Sequence, residues 1–278
     1  MREGLAEIAA VLEALLPEAE AVGAEVVVVG EIGAPAPAGC VRLLHLPLPD
    51  MLALRRHGLG EASGEVLAIG EDHAVPRPGW CRAVIRAHAE HPEAAAVVGC
   101  LVNATAATLA GRANFLAFAA PWQPPMPTLP PERPPPSSAL SVKRAALADI
   151  GSRPPGWFEA ELIPSLFAAG EMAADERILV DHFQDHGSLW SIRNAYDSAR
   201  SSYGAARSTL DPAARRRVAR WALANIPTRL RQEAHAGAQG TRMTLPESTL
   251  ISLIALAAAL GAATGTLRGP GISADRVA

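Results

Sequence analysis

The sequence predicts an α/β fold: a mainly parallel sheet flanked by helices, followed by a helical C-terminal tail. Three observations carry that expectation. Over the first hundred residues, short apolar strand signals alternate with helical spacing, the pattern of strand–helix–strand units. The apolar run Val66–Ile69 ends in Glu71, Asp72 and His73, and polar groups at the end of a buried strand face the crevice where α/β sheets bind ligands. From Arg215 onward the chain reads as helix, with twenty residues free of charge between Glu247 and Arg268.

The elements follow in order. Leu5, Ile8, Val11, Leu12 and Leu15 stand at helical spacing within residues 3–22, and Pro17 interrupts the pattern. Glu25–Val29 is an apolar strand closed by Gly30 and the turn-rich residues 33–39. Val41–Leu46 is a second strand, Met51–Arg56 a short helix, and Val66–Ile69 the third strand. Trp80–His91 is a helix ending before Pro92, and Ala94–Val102 is the fourth strand. Residues 121–136 hold nine prolines in sixteen positions, which makes them a polyproline-like connector or a mobile flap. Ser141–Arg144 precedes a short helix over Ala145–Ile150 that Gly151 ends. Ile178–Val180 is a short strand leading into Asp181 and His182.

Composition bounds the class. At 278 residues the chain can bury one large domain, or one domain and a tail. A net charge of −3 gives no general attraction to nucleic acid. Cys40, Cys81 and Cys100 have no Cys-x-x-Cys spacing; an odd count argues against a disulfide framework and fits a reducing cytosol. The first residues show no basic segment followed by an apolar core, so the expected location is cytoplasmic.

Asp and His suit a divalent cation, and a cation can hold a diphosphate. Gly64-Glu65, the strand, the triplet Glu71-Asp72-His73 and Pro76-Arg77-Pro78-Gly79-Trp80 together resemble the metal-binding segment of family-2 glycosyltransferases of the GT-A fold. The triplet is a variant, with Glu-Asp-His in place of the usual Asp-x-Asp pattern. The resemblance covers residues 3–207. It implies a GT-A-like domain over residues 1–207 and a helical tail over 208–278. The chain opens inside the family's first helix, without the strand that normally precedes it.

Under that resemblance Asp72, His73 and His182 hold a divalent cation, Mn2+ or Mg2+, with Glu71 supporting them at the donor. His182 follows a strand, as a family histidine does; His186 is nearer to background. Gly156-Trp157-Phe158-Glu159-Ala160-Glu161-Leu162 resembles the family's Glu-Asp-x-x-Leu motif. Counting back from Leu162 and Gly170 sets Glu159 at the general base, with Glu161 the second choice. The bland alternative is a solvated first helical turn, which acids favour. Glu31 stands where an acid reads the nucleobase, and Arg200 and Arg207 could hold the diphosphate or an anionic lipid acceptor.

The implied reaction is inverting transfer of a sugar from a nucleotide-diphosphate donor to a hydroxyl acceptor, glycan or lipid-linked. A catalytically degenerate binding or assembly protein is the alternative. A nucleotidyltransferase is a third reading, without the Gly-rich phosphate loop it normally carries. For the charge-free stretch Ser248–Leu267 three readings stand: a packed or dimer-forming helix, docking at the inner face of a membrane, and a true span. Gly261 and Gly265 permit close helix packing there.

Overall fold

A computed structural model describes residues 8–30, 41–46, 51–105, 107–126, 128–129, 135–184, 186–238, 243–271 and 273. Leu5, Glu31, Gly33, Cys40 and part of the proline-rich segment lie outside them. The chain divides into two compact units. One comprises the described residues up to Val102, with Pro124–Phe158 and Leu162–Phe183; the other comprises Asn103–Gln123, Glu159–Glu161 and the described residues from Gln184 onward.

In the first unit, α1 (Ala9–Val22) runs through Pro17 instead of stopping there, and Gly23 caps it at φ 67°. One lost backbone bond at Pro17 is outweighed by packing. Ile8, Leu12 and Ala19 bury against Val26 and Val28 of β1 (Val26–Gly30), which pairs in parallel with β2 (Val41–His45). α2 (Met51–Glu61) continues five residues past the expected end.

The main sheet corrects the expectation of mainly parallel strands. Its order is β3 (Val66–Ala68), β6 (Leu140–Lys143), β5 (Ala96–Asn103), β7 (Met172–His182), β4 (Ala74–Pro76). The β3–β6, β5–β6 and β4–β7 pairs are antiparallel, so the sheet is mixed. The alternation that predicts parallel strands stops at residue 102. β6 and β7 come from the chain beyond it, and β4 is a three-residue strand holding a proline at a sheet edge, where a missing N–H is tolerated. β7 is eleven residues long, not three, because Arg177 neutralises the buried Asp175 that breaks its apolar pattern. α3 (Trp80–Glu90) covers the sheet, with Ala83, Val84 and Ala87 against Val97 and Ile178.

The expected helix over Ala145–Ile150 is absent. Two short 3-10 turns, Arg144–Leu147 and Ile150–Ser152, replace it, and Gly151 caps no helix. Arg144 ties the segment to the chain before β3: its backbone N–H donates to Glu65 O at 2.8 Å and its Nε to Gly64 O at 2.9 Å.

The second unit is helical: α4 (Leu109–Phe118), α6 (Ser188–Ala205), α7 (Pro212–Gly237) and α8 (Leu245–Arg268). α5 (Ile163–Ala169) belongs to the first unit. α8 is packed along most of its length, with Leu250, Ile251, Ile254 and Ala258 against Leu116 of α4, Ala195 of α6 and Leu230 of α7. Gly261 and Gly265 make the closest approach possible. A Cβ at Gly261 would overlap the Tyr196 carbonyl, and one at Gly265 the Arg200 carbonyl. Thr244 and Glu247 form a capping box at the start of α8, and Arg112 pairs with Glu247 at 2.7 Å. Among the described residues α8 is the one helix long and apolar enough to cross a membrane, by length and composition only.

Candidate metal centre

The β3 ladder on β6 ends with Ile69, whose N–H donates to Leu140 O. A turn follows: the Ala74 N–H returns to Glu71 O at 3.1 Å, and β4 begins. β4 pairs with the end of β7, setting Ala74 opposite His182, and the Phe183 N–H donates to His73 O at 2.8 Å. That register brings Glu71 and His73 of the turn onto His182 of β7. One ligand atom from each of the three lies within 4.8 Å of the other two. The two imidazoles meet edge to face, with centroids 4.7 Å apart and planes at 81°.

Each member of the group is held by neighbours. Glu71 Oε1 accepts from Arg55 Nη2 and from Ser137 Oγ, both at 3.1 Å. Glu71 Oε2 lies 3.5 Å from His73 Nε2. Asp72 Oδ1 sits 2.7 Å from His73 Nδ1. An ionised carboxylate only accepts, so Nδ1 carries a proton, and Nε2 faces Glu71 Oε2. His182 is 6% exposed, and its Nδ1 is buried without a hydrogen-bond partner among the described residues.

The electrostatics follow from these contacts. Burial alone would raise the Glu71 carboxyl, but the Arg55 charge, then His73, His182 and the Ser137 hydroxyl, outweigh it and hold Glu71 below its ordinary value. The bond from His73, working against burial, lowers Asp72. Burial opposes charge on His73, yet the Asp72 bond and the charges of Glu71 and Asp72 raise it. Burial, and then the neighbouring His73, push His182 down to about 4, so it is a neutral imidazole with a free lone pair near pH 7. An anionic carboxylate, an imidazole oriented by a second carboxylate, and a neutral imidazole with an unused buried nitrogen make a fitting donor set for a divalent transition ion.

The group differs from the expected Asp72–His73–His182 set by one residue. Glu71 is in it, and Asp72 stands behind His73. Arg55 and Ser137 were not among the sequence candidates; one lies in an ordinary helical pattern, the other just after the proline run, and neither position carries a motif. Glu159 and Glu161 lie on a π-turn, Phe158–Leu162, that leads into α5, which Gly170 caps at φ 71°. Arg200 Nε donates to Gly269 O at 3.3 Å and Arg207 Nε to Leu267 O at 3.4 Å, so both guanidinium groups lie at the C-terminal end of α8. His186 stacks on Trp190. Glu31 lies outside the described residues.

No family model matches the sequence, and no curated protein matches it. Among solved structures the chain is similar to the mannosyltransferase PcManGT from Pyrobaculum calidifontis in complex with GDP-Man and Mn2+. The TM-score is 0.59 at 17% identity, over 96% of this chain and 85% of that one. At that identity the likeness shows the fold alone.

Proposed function

We propose that this chain is a metal-assisted glycosyltransferase that moves a sugar from a nucleoside-diphosphate donor to a hydroxyl acceptor, glycan or lipid-linked, with inversion. The observation that carries the reading is the convergence of Glu71, His73 and His182 at the end of a sheet strand, in a fold similar to that of a mannosyltransferase solved with GDP-Man and Mn2+. Two imidazoles in three ligands favour Mn2+ over Mg2+, which prefers an all-oxygen shell. A cation held there supplies positive charge to the leaving diphosphate. Asp72 orients His73, and Arg55 with Ser137 orients Glu71.

In the transfer, the bond from the anomeric carbon to the diphosphate oxygen breaks and a bond to the acceptor oxygen forms. The acceptor proton passes to a carboxylate. Glu159 is the proposed base, supported by its register with Leu162 and Gly170, and Glu161 is second.

The test is calorimetric titration with GDP, UDP and TDP, each with and without Mn2+, followed by product analysis with the matching nucleotide sugar. Mn2+-dependent binding of one nucleotide, lost in Glu71→Gln, is expected. Binding of none, or binding indifferent to chelation and to Glu71→Gln, would overturn the reading and favour a degenerate binding protein.

A further inference from the structure

We infer that the α7–α8 face of the second unit is a docking surface for an anionic lipid bilayer. The inference stands on that unit's own residues and does not rest on the glycosyl-transfer reading.

A surface helix normally turns charged or polar residues outward. The outward face of α8 is mostly leucine, with Thr249 the one exposed polar residue in the same arc. Leu245, Leu253, Leu256, Leu260 and Leu267 are 81, 47, 49, 47 and 46% exposed. At 3.6 residues per turn these five positions fall within an arc of about 80°, and at 1.5 Å per residue they extend over about 33 Å. No charge interrupts the helix from Ser248 to Leu267. The other faces of α8 are buried against α4, α6 and α7, so the stripe suits a helix lying along a surface rather than one crossing a bilayer alone.

Charge selects the occupant. α7, which packs on α8, carries six arginines against one acid, with Arg216, Arg217 and Arg220 exposed beside the exposed Trp221. At the C-terminal end of the stripe, Arg207 bonds the Leu267 carbonyl and Arg268 is exposed. Residues 184–278 hold twelve arginines against six acids, whereas residues 1–183 hold thirteen basic residues against twenty-two acids. A second copy seated on the stripe would bring this excess of arginine against itself, which is unfavourable. An anionic leaflet satisfies both parts: leucines enter the acyl boundary, arginines reach the headgroups along their apolar stems, and a tryptophan sits at the interface.

The test is co-sedimentation of the whole chain with vesicles of phosphatidylcholine alone, or with about a third of the lipid replaced by phosphatidylglycerol. The protein is expected to bind the anionic vesicles and not the neutral ones, and to release at high salt. Each arginine near the surface is worth about fivefold, so Arg217→Glu with Arg220→Glu should weaken binding by about 25-fold or more. Leu256→Ser with Leu260→Ser should weaken it by about tenfold. All four positions are exposed, and a urea midpoint confirms that each variant folds. Absence of binding to anionic vesicles, or binding unchanged in both variants, would overturn the inference. So would a dimer in sedimentation velocity that the leucine pair dissolves, since the stripe would then be a seam between copies.

Discussion

Asp72 and Glu71 are neighbours in sequence, but the structure gives them different contacts, and metal affinity tests the two proposed roles. Asp72 Oδ1 holds His73 Nδ1 at 2.7 Å, which fixes the ring and leaves Nε2 facing the site. Removing such a partner from a ligating histidine costs about 10–100-fold in metal affinity, or about 1.4–2.7 kcal/mol. Asp72→Ala should therefore weaken Mn2+ binding by that factor without abolishing it. Among the described residues Glu71 is the one carboxylate of the candidate ligand group, and the Arg55 guanidinium lies 3.1 Å from its Oε1 with a side chain 10% exposed. Glu71→Gln deletes the anionic ligand and keeps the Arg55 charge beside two imidazoles. Breaking a buried charge pair costs several kcal/mol, so the loss should reach about a thousandfold. Isothermal calorimetry with MnCl2 at fixed pH and salt measures both variants, and a metal-free urea midpoint shows that each is folded. Equal losses in the two variants would mean that Asp72 touches the ion directly. No loss in Asp72→Ala would mean that the carboxylate–imidazole bond does not organise the site. Either result refutes the reasoning.

Three further outcomes are expected. Glu159→Gln should lower kcat by about 10²–10⁴-fold while donor binding by calorimetry is kept, and Glu161→Gln should not. Gly261→Ala should lower the urea midpoint, at a cost of about 1–3 kcal/mol, because the new Cβ overlaps the Tyr196 carbonyl; Gly151→Ala, with nothing within 4 Å, should change stability by less than about 0.5 kcal/mol. Burial, and then the charges of Lys143 and His91, push His88 down to about 4, so it is neutral in the fold, whereas the unfolded chain titrates near 6.5. Between those values the unfolded state binds more protons, so stability is complete above pH 6.5 and falls as pH drops toward 4. His88→Leu should flatten the decline in urea midpoint between pH 7.5 and 5, although His182 keeps part of it.

The candidate group of Glu71, His73 and His182 was legible where local sequence decides it. A run of apolar residues ending in Glu71-Asp72-His73 is informative without any tertiary knowledge, and His182 ends a strand of which Ile178–Val180 can be read by eye. Which members of the triplet face His182 was not legible. That depends on the register of β4 on β7, a pairing of residues more than a hundred positions apart, in which one strand is three residues long. A slip of one residue would exchange the faces of the strand, so no local pattern could choose Glu71 over Asp72. Arg55 and Ser137 were invisible for the same reason: each matters only through what the fold sets beside it. The parallel-sheet expectation failed because strand–helix alternation says nothing of strands contributed later in the chain.

α8 shows the limit most clearly. From Ser248 to Leu267 it carries no charge and has apolar residues on every side, so periodicity cannot distinguish the face that packs from the face that does not. The structure makes the distinction through two residues without side chains. Gly261 and Gly265 admit the α6 backbone, which fixes the rotation of α8 about its axis. Once that rotation is set, the inward positions are Ile251, Ile254, Ala255 and Ala258, and the leucines at 253, 256, 260 and 267 are left outside. The exposed stripe is therefore a consequence of the glycine contact rather than of excess hydrophobicity. Of the exposed positions in that arc, Leu245, Leu253, Leu256, Leu260 and Leu267 are leucine, and Thr249 is the polar one. That is the physical reason for assigning the face a partner.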